Sequence, residues 1–512
     1  MGYPRIYNAA TDMVDRNVAE GRGAKAAFID PNEQLTYGAL QTRCNRMANL
    51  LGTYGIPRES RVAILLLDTV DFPVAYWGAI KAGVVPVCLN TLLTTEQYAY
   101  ILGDSRAKAL FVSAPLLSVV QPILGKLPFL KHVFVSGGEP PPFALSFRGE
   151  LGLQQAEFAA ADTSPDETAF WLYSSGSTGN PKGTRHVHSS LMVTADTYAR
   201  QVLAIRPDDV VLSAAKLFFA YGLGNSMTFP MSVGATAVLL AERPTPAAVF
   251  ALLKQHAPTL FFAVPTLYAA ILADPQCTPE TGSSKLRLCV SAGEALPAEV
   301  GRAWQRRFGV DILDGIGSTE MLHIYLSNTP GDVNYGTSGK PVPGYAVRLV
   351  DEFGHEADTD EIGELMVEGL SAADGYWHQR AKSRATFEGR WTRSGDKYMR
   401  DAQGYYRFCG RTDDMFKVSG IWVSPFEVEA ALIGHPAVLE AAVVPKADPD
   451  GLLKPKAFVV LKEAHASEDL PAELKAHVKA AIGQWKYPRW IEFVDSLPKT
   501  ATGKTQRFKL RN

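Results

Sequence analysis

An excess of charge of either sign is missing from this chain: 51 Lys and Arg stand against 53 Asp and Glu, a formal net charge of −2 over 512 residues. Without a basic excess or a basic cluster there is no electrostatic footprint for nucleic acid or an anionic membrane surface. Long hydrophobic runs are missing too. The most apolar window, 257–273, contains Pro258 and Pro265 and falls short of the roughly 20 residues a spanning helix needs. It reads instead as a buried strand at 259–264 running into a helix that starts near Pro265. Cysteine is scarce: Cys44, Cys88, Cys277, Cys289 and Cys409 are odd in number, widely spaced and free of any CxxC pair. That argues against a disulfide framework and fits reduced thiols in a cytosol. The N-terminal residues show no basic segment leading into an apolar one, so a cytoplasmic location without export is expected.

What is present describes a soluble globular chain, with 46% apolar and 20% charged residues, too long for one hydrophobic core and suited to two to four domains. Short apolar runs alternate with helical stretches: a strand at 61–67, a helix at 72–82, a strand at 84–88, then further strands at 109–112, 132–135 and 235–240. This βαβ rhythm predicts α/β architecture with parallel sheets covered by helices. From 333 to 367 the texture changes to short strands broken by Gly and Pro, at 344–350 and 363–367, which predicts a smaller β-rich subdomain. Beyond Gly410 comes a third texture, with helices at 424–433 and 471–482 and strands at 441–444 and 457–461, predicting a compact α+β unit. The boundary falls at 410–414.

The most distinctive stretch is YSSGSTGNPKG at 173–183, preceded by a β-prone run at 168–173. Gly176, Gly179 and Gly183 permit positive φ and close backbone approach, so several N–H groups can converge on an anion. The hydroxyls of Ser174, Ser175, Ser177 and Thr178 add donors, and Lys182 adds a point charge suited to a polyphosphate. Gly and Ser content alone would equally describe a linker, but Pro181 and the strand-like lead-in argue against one. The spacing is not that of the P-loop.

Four later clusters supply chemical company. DGIGSTEM at 314–321 places the Thr319 hydroxyl and the Glu320 carboxylate after a Gly-rich turn that follows a strand at 310–313. A carboxylate there suits Mg²⁺ held against phosphates or, alternatively, a helix N-terminus. SAGEALP at 291–297 follows a strand at 286–290, and its small residues let a flat ring lie against the backbone. WTRSGD at 391–396 ends in an Asp able to accept bonds from two sugar hydroxyls, although Ser-Gly-Asp is also ordinary turn chemistry. GRTDDMFKVSG at 410–420 sets charges around two glycines at the domain boundary, and PKTATGK closes on Lys504, which in isolation reads as solvated. His186 and His188, with no third ligand in view, read as hydrogen-bonding residues rather than a metal site.

In order, spacing and wording these clusters resemble the adenylate-forming family of acyl-CoA synthetases, adenylation domains and luciferases, over nearly the whole chain. YSSGSTGNPKG resembles its phosphate-loop signature, GSTEM its Thr-Glu motif, SGD its ribose-binding Asp, GRTDD its hinge and PKTATGK its terminal catalytic lysine. Ser177 and Ser394 stand where Thr is usual, hydroxyl for hydroxyl. The resemblance implies an α/β fold with an N-terminal domain at 1–411, including a β-rich subdomain at about 333–411, a hinge at 412–414 and a mobile α+β lid domain at 415–512. It implies that a carboxylate attacks the α-phosphate of ATP, magnesium pyrophosphate leaves, and the thiol of coenzyme A cleaves the acyl-adenylate. ATP, Mg²⁺ and coenzyme A are thus the expected cofactors. Ser174, Ser175, Gly176, Ser177, Thr178, Gly179 and Lys182 would hold the β- and γ-phosphates. Thr319 would touch the α-phosphate and Glu320 the metal. Gly293, Glu294 and Ala295 would flank adenine near Asp314, and Asp396 with Arg411 would take the ribose. Lys504 would bridge carboxylate and α-phosphate oxygens as charge moves between them. Asp413 stands at the hinge position, and Gly420 would line the pantetheine tunnel after the lid has swung.

The acid is read from KLFFAYGLGN at 216–225, where the family carries an aromatic gate and pocket wall. That puts Phe219 at the gate and Ala220 and Tyr221 on the wall, while Ile316, Gly317 and Ile324 complete a flat slot and His323 is expected to donate to the carboxylate. Phe218 and Leu223 read equally well as a packed helix start. KLFFAYGLGN together with GIGSTEMLHIYLSN resembles the benzoate-CoA ligase subgroup, whose planar acid suits stacking on aromatic walls. Ring substituents are not legible, since one or two apolar contacts are worth only about 1–3 kcal/mol. The alternatives are an aryl-adenylating enzyme that loads a carrier-protein thiol, and a regulatory nucleotide-binding protein, which would be expected to lose Lys504 or Glu320. The expected partners are the aromatic carboxylate, ATP and CoA, with a homodimer compatible. A lysine acetyltransferase acting on Lys504 would remove the bridging charge.

Overall fold

Apolar runs without polar alternation make strands that are buried on both faces, and two sheets are built from them. The computed structural model describes residues 2–174, 180–412, 414–418, 421–449, 452–462, 469–483, 486–499 and 505–511. The first sheet has eight strands, with Arg61–Leu65 near its middle, flanked in parallel by Val85–Cys88 and Ala109–Ser113. His132–Ser136 and Leu145–Ser146 extend one side. On the other, Val85–Cys88 runs parallel to Thr168–Ser174, which pairs antiparallel with Lys182–Val187. Pleating sends alternate residues to opposite faces. Val62 and Ile64 therefore enter a core shared with the second sheet, while Ala63 and Leu65 meet helices Thr95–Ser105 and Leu117–Leu124.

The second sheet has nine strands and is parallel from Ala26–Ile29 through Thr236–Val238, Val210–Ser213, Leu260–Ala263 and Leu288–Ser291 to Ile312–Gly317. Helices Pro246–His256, Pro265–Ala273 and Ala298–Phe308 cover its outer face. Between the sheets lie helix Tyr37–Thr53 and helix Asp71–Lys81, all eleven of whose residues are buried. The βαβ rhythm of the sequence is this pair of helix-covered sheets.

One local expectation changes. The Gly-rich segment after 313 is not a turn, because the strand continues through Gly317 and pairs antiparallel with Ile324–Ser327. The partner strand comes so close that a Cβ on Gly317 would lie 2.4 Å from the His323 carbonyl oxygen. No helix follows either, so Glu320 stands in a turn and not at a helix N-terminus.

An antiparallel five-stranded sheet follows, formed by Ala346–Val350, Ile362–Glu368, Phe387–Glu388, Trp391–Arg400 and Tyr406–Arg411. Past it, the hairpin Phe416–Val418/Ile421–Val423, helix Pro425–Ile433, strands Val438–Ala447, Leu453–Leu461 and Trp490–Phe493, and helix Leu470–Ile482 enclose a separate core. All five cysteines are buried and unpaired. Among the described residues no helix is long and apolar enough to cross a membrane.

Candidate active site

Four parallel strands of the nine-stranded sheet end at one edge, and each hands on to a segment carrying candidate residues. Val210–Ser213 leads to 214–225, Leu260–Ala263 to Val264, Leu288–Ser291 to 292–297 and Ile312–Gly317 to 318–323. Ligands of open α/β sheets bind at this carboxyl edge.

The eight-stranded sheet supplies the phosphate side. Ser174 and Lys182 are register partners across the hairpin of the phosphate loop, so both stems of the loop are held. Ser174 Oγ is buried and makes no hydrogen bond. Ser175, Gly176, Ser177, Thr178 and Gly179 lie outside the described residues. Lys182 Nζ donates to the Tyr376 hydroxyl at 3.1 Å and lies 3.5 Å from Glu320 Oε1. The Tyr376 hydroxyl in turn donates to Glu320 Oε1 at 2.7 Å. Burial, reinforced by the Glu320 charge, pushes the phenol well up, so it stays a proton donor.

The turn that carries Thr319 and Glu320 is held by its carbonyls. His186 Nε2 donates to Thr319 O at 2.8 Å, Ala373 N–H to Glu320 O at 2.8 Å, and Ser371 Oγ to Met321 O at 2.8 Å. His323 N–H also reaches Met321 O, at 2.9 Å, in a γ-turn centred on Leu322 with φ +67. A left-handed leucine of this kind costs about 1–3 kcal/mol and persists only where its surroundings fix it. With the carbonyls committed, the Thr319 and Glu320 side chains are what the turn offers to a ligand.

Both histidines set aside as a metal pair are hydrogen-bonding residues. His186 stacks on Phe170 at 5.1 Å and burial lowers it to about 4. His188 Nδ1 accepts from Ala9 N–H at 3.2 Å, and burial lowers it to about 4 as well. Unfolded, His188 takes up a proton near its ordinary value of about 6.5, while the folded ring refuses one until about pH 4. The unfolded chain therefore binds more protons in that window, and this residue's contribution to stability drops by about 1.4 kcal/mol for each unit by which the pH is lowered. In urea unfolding, the stability deficit of His188→Gln at pH 7.5 should shrink by about 1.4 kcal/mol at pH 5.5. An equal deficit at both pH values would reject the assignment.

On the nucleoside side Asp314 is buried. Its Oδ2 accepts from Leu296 N–H at 3.2 Å while Oδ1 makes no hydrogen bond, and burial pushes the carboxyl well above the usual range. Gly293, exposed with φ +96, turns the chain into the half-buried Glu294 and Ala295. Asp396 and Arg411 are cross-strand partners in the five-stranded sheet, joined by Arg411 Nη1 donating to Asp396 Oδ1 at 2.8 Å. The Asp396 charge holds the guanidinium pKa up, and Glu320 adds to it, which ties this pair to the phosphate side.

The residues expected to hold the acid stand among packed aromatic rings. The segment 216–225 begins with Leu217 N–H donating to the Asp68 carboxylate at 3.2 Å and winds into the short helix Ala220–Leu223. Phe219, half-buried, packs on Phe218 at 4.4 Å. The Tyr221 hydroxyl donates to Val290 O at 3.1 Å, so the residue offers a ligand its ring rather than its proton. Around His323 stand the rings of Phe229, Tyr198 and Tyr221 at 4.4, 5.4 and 5.7 Å. A Cβ on Gly224 would lie 2.3 Å from His323 Cδ2, so this position takes only glycine while the imidazole keeps its place. Ile324 is buried beside it, and Ile316 and Gly317 are half-buried.

The donor role expected of His323 is reversed. Its Nε2 faces two acceptors, Tyr221 O at 3.3 Å and Asn225 Oδ1 at 3.1 Å, and burial lowers the ring to about 3. The imidazole is neutral with its proton on Nε2. Nδ1, buried without a hydrogen bond, presents a lone pair that would not meet a carboxylate.

Asp413, Gly420 and Lys504 lie outside the described residues. Their neighbours are tied together within the C-terminal unit. Arg507 donates to Glu429 at 2.6 Å and approaches Asp414 at 3.8 Å, where Arg511 also binds. Glu294 helps push the Arg507 guanidinium up. Tyr376, Asn225 and Ser371, which the sequence did not single out, contact Glu320, His323 and the Met321 carbonyl. The aromatic pair Tyr376-Trp377 after a glycine was the signal for the first, and nothing local marked the others.

Comparison with known proteins completes the picture. A model of the AMP-binding enzyme family matches residues 15–377, and one of the AMP-binding enzyme C-terminal domain matches 427–504. A benzoate–CoA ligase of Thauera aromatica is 59% identical over 99% of this chain and 96% of its own length. A 4-hydroxybenzoate–CoA/benzoate–CoA ligase of Rhodopseudomonas palustris is 57% identical, over 99% and 94%. Among solved structures, a benzoate CoA ligase from Burkholderia xenovorans superposes with a TM-score of 0.92 at 51% identity, covering 99% of this chain and all of that one. An anthranilate CoA ligase in complex with anthranoyl-AMP superposes with a TM-score of 0.96 at 44% identity, over 99% and 97%.

Proposed function

The chain belongs to the AMP-binding enzymes, the adenylate-forming acyl-CoA synthetases, and from that premise we propose that it joins benzoate or a substituted benzoate to coenzyme A through an aryl-adenylate. The observation that carries the choice of acid is the ring box of Tyr198, Tyr221, Phe229 and His323, set at the strand edge beside Thr319 and Glu320. Such a box suits a flat aryl ring by offset and edge contacts. The relatives that span 99% of the chain are CoA ligases, which weighs against the carrier-thiol alternative.

In the first half-reaction a benzoate oxygen attacks the α-phosphorus of ATP and pyrophosphate departs. Ser174 Oγ, buried with no partner of its own, and Lys182 wait at the phosphate side. Thr319 lies on the turn whose carbonyl is fixed by His186, which suits it to hold an α-phosphate oxygen without reorganising. Asp396, held by Arg411, would accept ribose hydroxyls. The donor chemistry fits Mg²⁺: Glu320 is a hard carboxylate with 16% of its side chain exposed, and Mg²⁺ is normally carried by one or two carboxylates plus phosphates and water. Bound there, the metal would neutralise charge on the departing pyrophosphate. Lys504 supplies the positive charge between the reacting oxygens.

In the second half-reaction the CoA thiol attacks the acyl carbon and AMP departs, after the C-terminal unit has turned. Arg411 is tied to Asp396 on one side, and Asp414 to Arg507 and Arg511 on the other. That supports domains at 1–411 and 415–512 with the pivot in 412–414. Gly420 would then line the thiol path, and the reaction would run in the cytoplasm.

Pyrophosphate release measured with a panel of benzoates, with and without CoA, tests the reading. The expected result is benzoate-dependent release, and CoA thioester only when CoA is present. No release with any benzoate would sink the aryl assignment, and release with no thioester would favour the carrier-thiol alternative.

A further inference from the structure

The geometry points to Tyr376 as a further positioning residue of the adenylation step: its hydroxyl sets the Glu320 carboxylate for the metal and restrains Lys182 until polyphosphate arrives. This rests on Glu320 and Lys182 serving metal and phosphate as proposed above. One oxygen makes both contacts, donating to Glu320 Oε1 at 2.7 Å and accepting from Lys182 Nζ at 3.1 Å, while Lys182 and Glu320 themselves remain 3.5 Å apart. The phenol is therefore the tighter partner of each. The ammonium also lies 4.3 Å from the centre of the ring, a second restraint of the cation–π kind.

The mounting of Tyr376 makes this a fixed device rather than a passing contact. Its residue is 4% exposed and sits on Gly375–Tyr376, which pairs with Arg185 and Thr184 on the strand leaving the phosphate loop. Tyr376 N–H donates to Ser383 Oγ at 2.9 Å, and the ring packs on Phe387 at 5.4 Å. The next residue is pinned twice, with Trp377 N–H donating to Gly183 O at 2.8 Å and Trp377 Nε1 to Asp104 O at 2.9 Å. Lysine, with four rotatable carbons, can leave for a phosphate, but the hydroxyl cannot follow it. Once Lys182 turns away, Tyr376 still holds Oε1 by a charge-assisted bond and keeps the carboxylate aimed. Carboxylates that ligate metals depend on such outer partners, whose loss costs about 10–100-fold in metal affinity or activity.

Tyr376→Phe removes the one oxygen and keeps the ring. Its Mg²⁺ concentration for half-maximal benzoate-dependent pyrophosphate release should rise about tenfold or more, with the rate largely recovered at saturating Mg²⁺. ATP binding followed by intrinsic fluorescence should weaken in the presence of Mg²⁺ and change little in EDTA. In a Glu320→Ala background the same substitution should add nothing further to the Mg²⁺ requirement, since the carboxylate it acts through is gone. An unshifted Mg²⁺ requirement overturns the inference, as does equal weakening of ATP binding with and without the metal. If Tyr376→Phe does not accumulate as folded protein, Ser383→Ala, which frees the Tyr376 backbone, must move the Mg²⁺ requirement in the same direction, and no movement is again fatal. Wild-type protein without benzoate-dependent release would instead overturn the functional reading beneath.

Discussion

Replacing Lys504 with alanine is expected to lower benzoate-dependent pyrophosphate release by about 10²–10³-fold, the range for removing one preorganised donor from a developing charge, while thioester formation from supplied benzoyl-adenylate stays near the wild-type rate. The asymmetry follows from where the charge is. As the carboxylate attacks, negative charge passes from its oxygens to those of the α-phosphate, and a lysine between them meets it on both sides. In the thioester step no triphosphate is present, and with the lid turned as proposed the lysine would no longer stand there. The anchors on either side of the pivot give the turn its structural basis. Arg411 belongs by its Asp396 bond to the large unit, and Asp414 by Arg507 and Arg511 to the small one. Acetylation of Lys504 should act in the same direction, because it removes the charge and leaves the chain in place. Both half-reactions falling by the same factor would exclude the two-state picture.

Where burial alone decides structure, the sequence was legible. Residues 62–65 and Leu260–Ala263 are continuous apolar runs because both faces of a parallel strand meet cores, and the helices between them show by their length. Ile324–Ser327 and Gly375–Tyr376 were not legible. The first is short and its pairing with 312–317 needs the Gly-rich run to let it approach, and the second is two residues held by a strand about 190 positions earlier. The site divides along the same line. Motifs of glycine, hydroxyl and charge at 174–183, 314–321 and 391–396 show their chemistry in their composition. Tyr376, Ser371 and Asn225 act through partners brought by the fold, from Glu320 to Met321 O and His323, and no local pattern marks them. The donor role expected of His323 was not legible correctly, because a tautomer is set by neighbours such as the Tyr221 carbonyl, which only the folded chain brings near.

The second large effect expected is at Asp396, where alanine should raise the KM for ATP by about 10²-fold or more. Two ribose hydroxyls donating to a carboxylate are worth about 1.5–3 kcal/mol each, and both are lost together. The side chain is suited to this work: it is 8% exposed, its backbone N–H is bound by Ser394 Oγ at 3.1 Å, and Arg411 occupies Oδ1 at 2.8 Å. The KM for benzoate should move much less, since the lost hydrogen bonds are to the ribose and not to the acid. Loss of the carboxylate also strips Arg411 of the charge that chiefly raises its pKa and of its shorter side-chain bond to the large unit. A KM change alone therefore does not separate ribose binding from a loosened pivot. Nucleotide analogues do. Wild-type enzyme should discriminate against 2′-deoxy-ATP by about tenfold, the equivalent of 1.4 kcal/mol and close to one such hydrogen bond. Asp396→Ala should not discriminate, because the acceptor is gone and the two losses cannot add. Undiminished discrimination in the variant would place the ribose elsewhere and leave Asp396 as an anchor for Arg411.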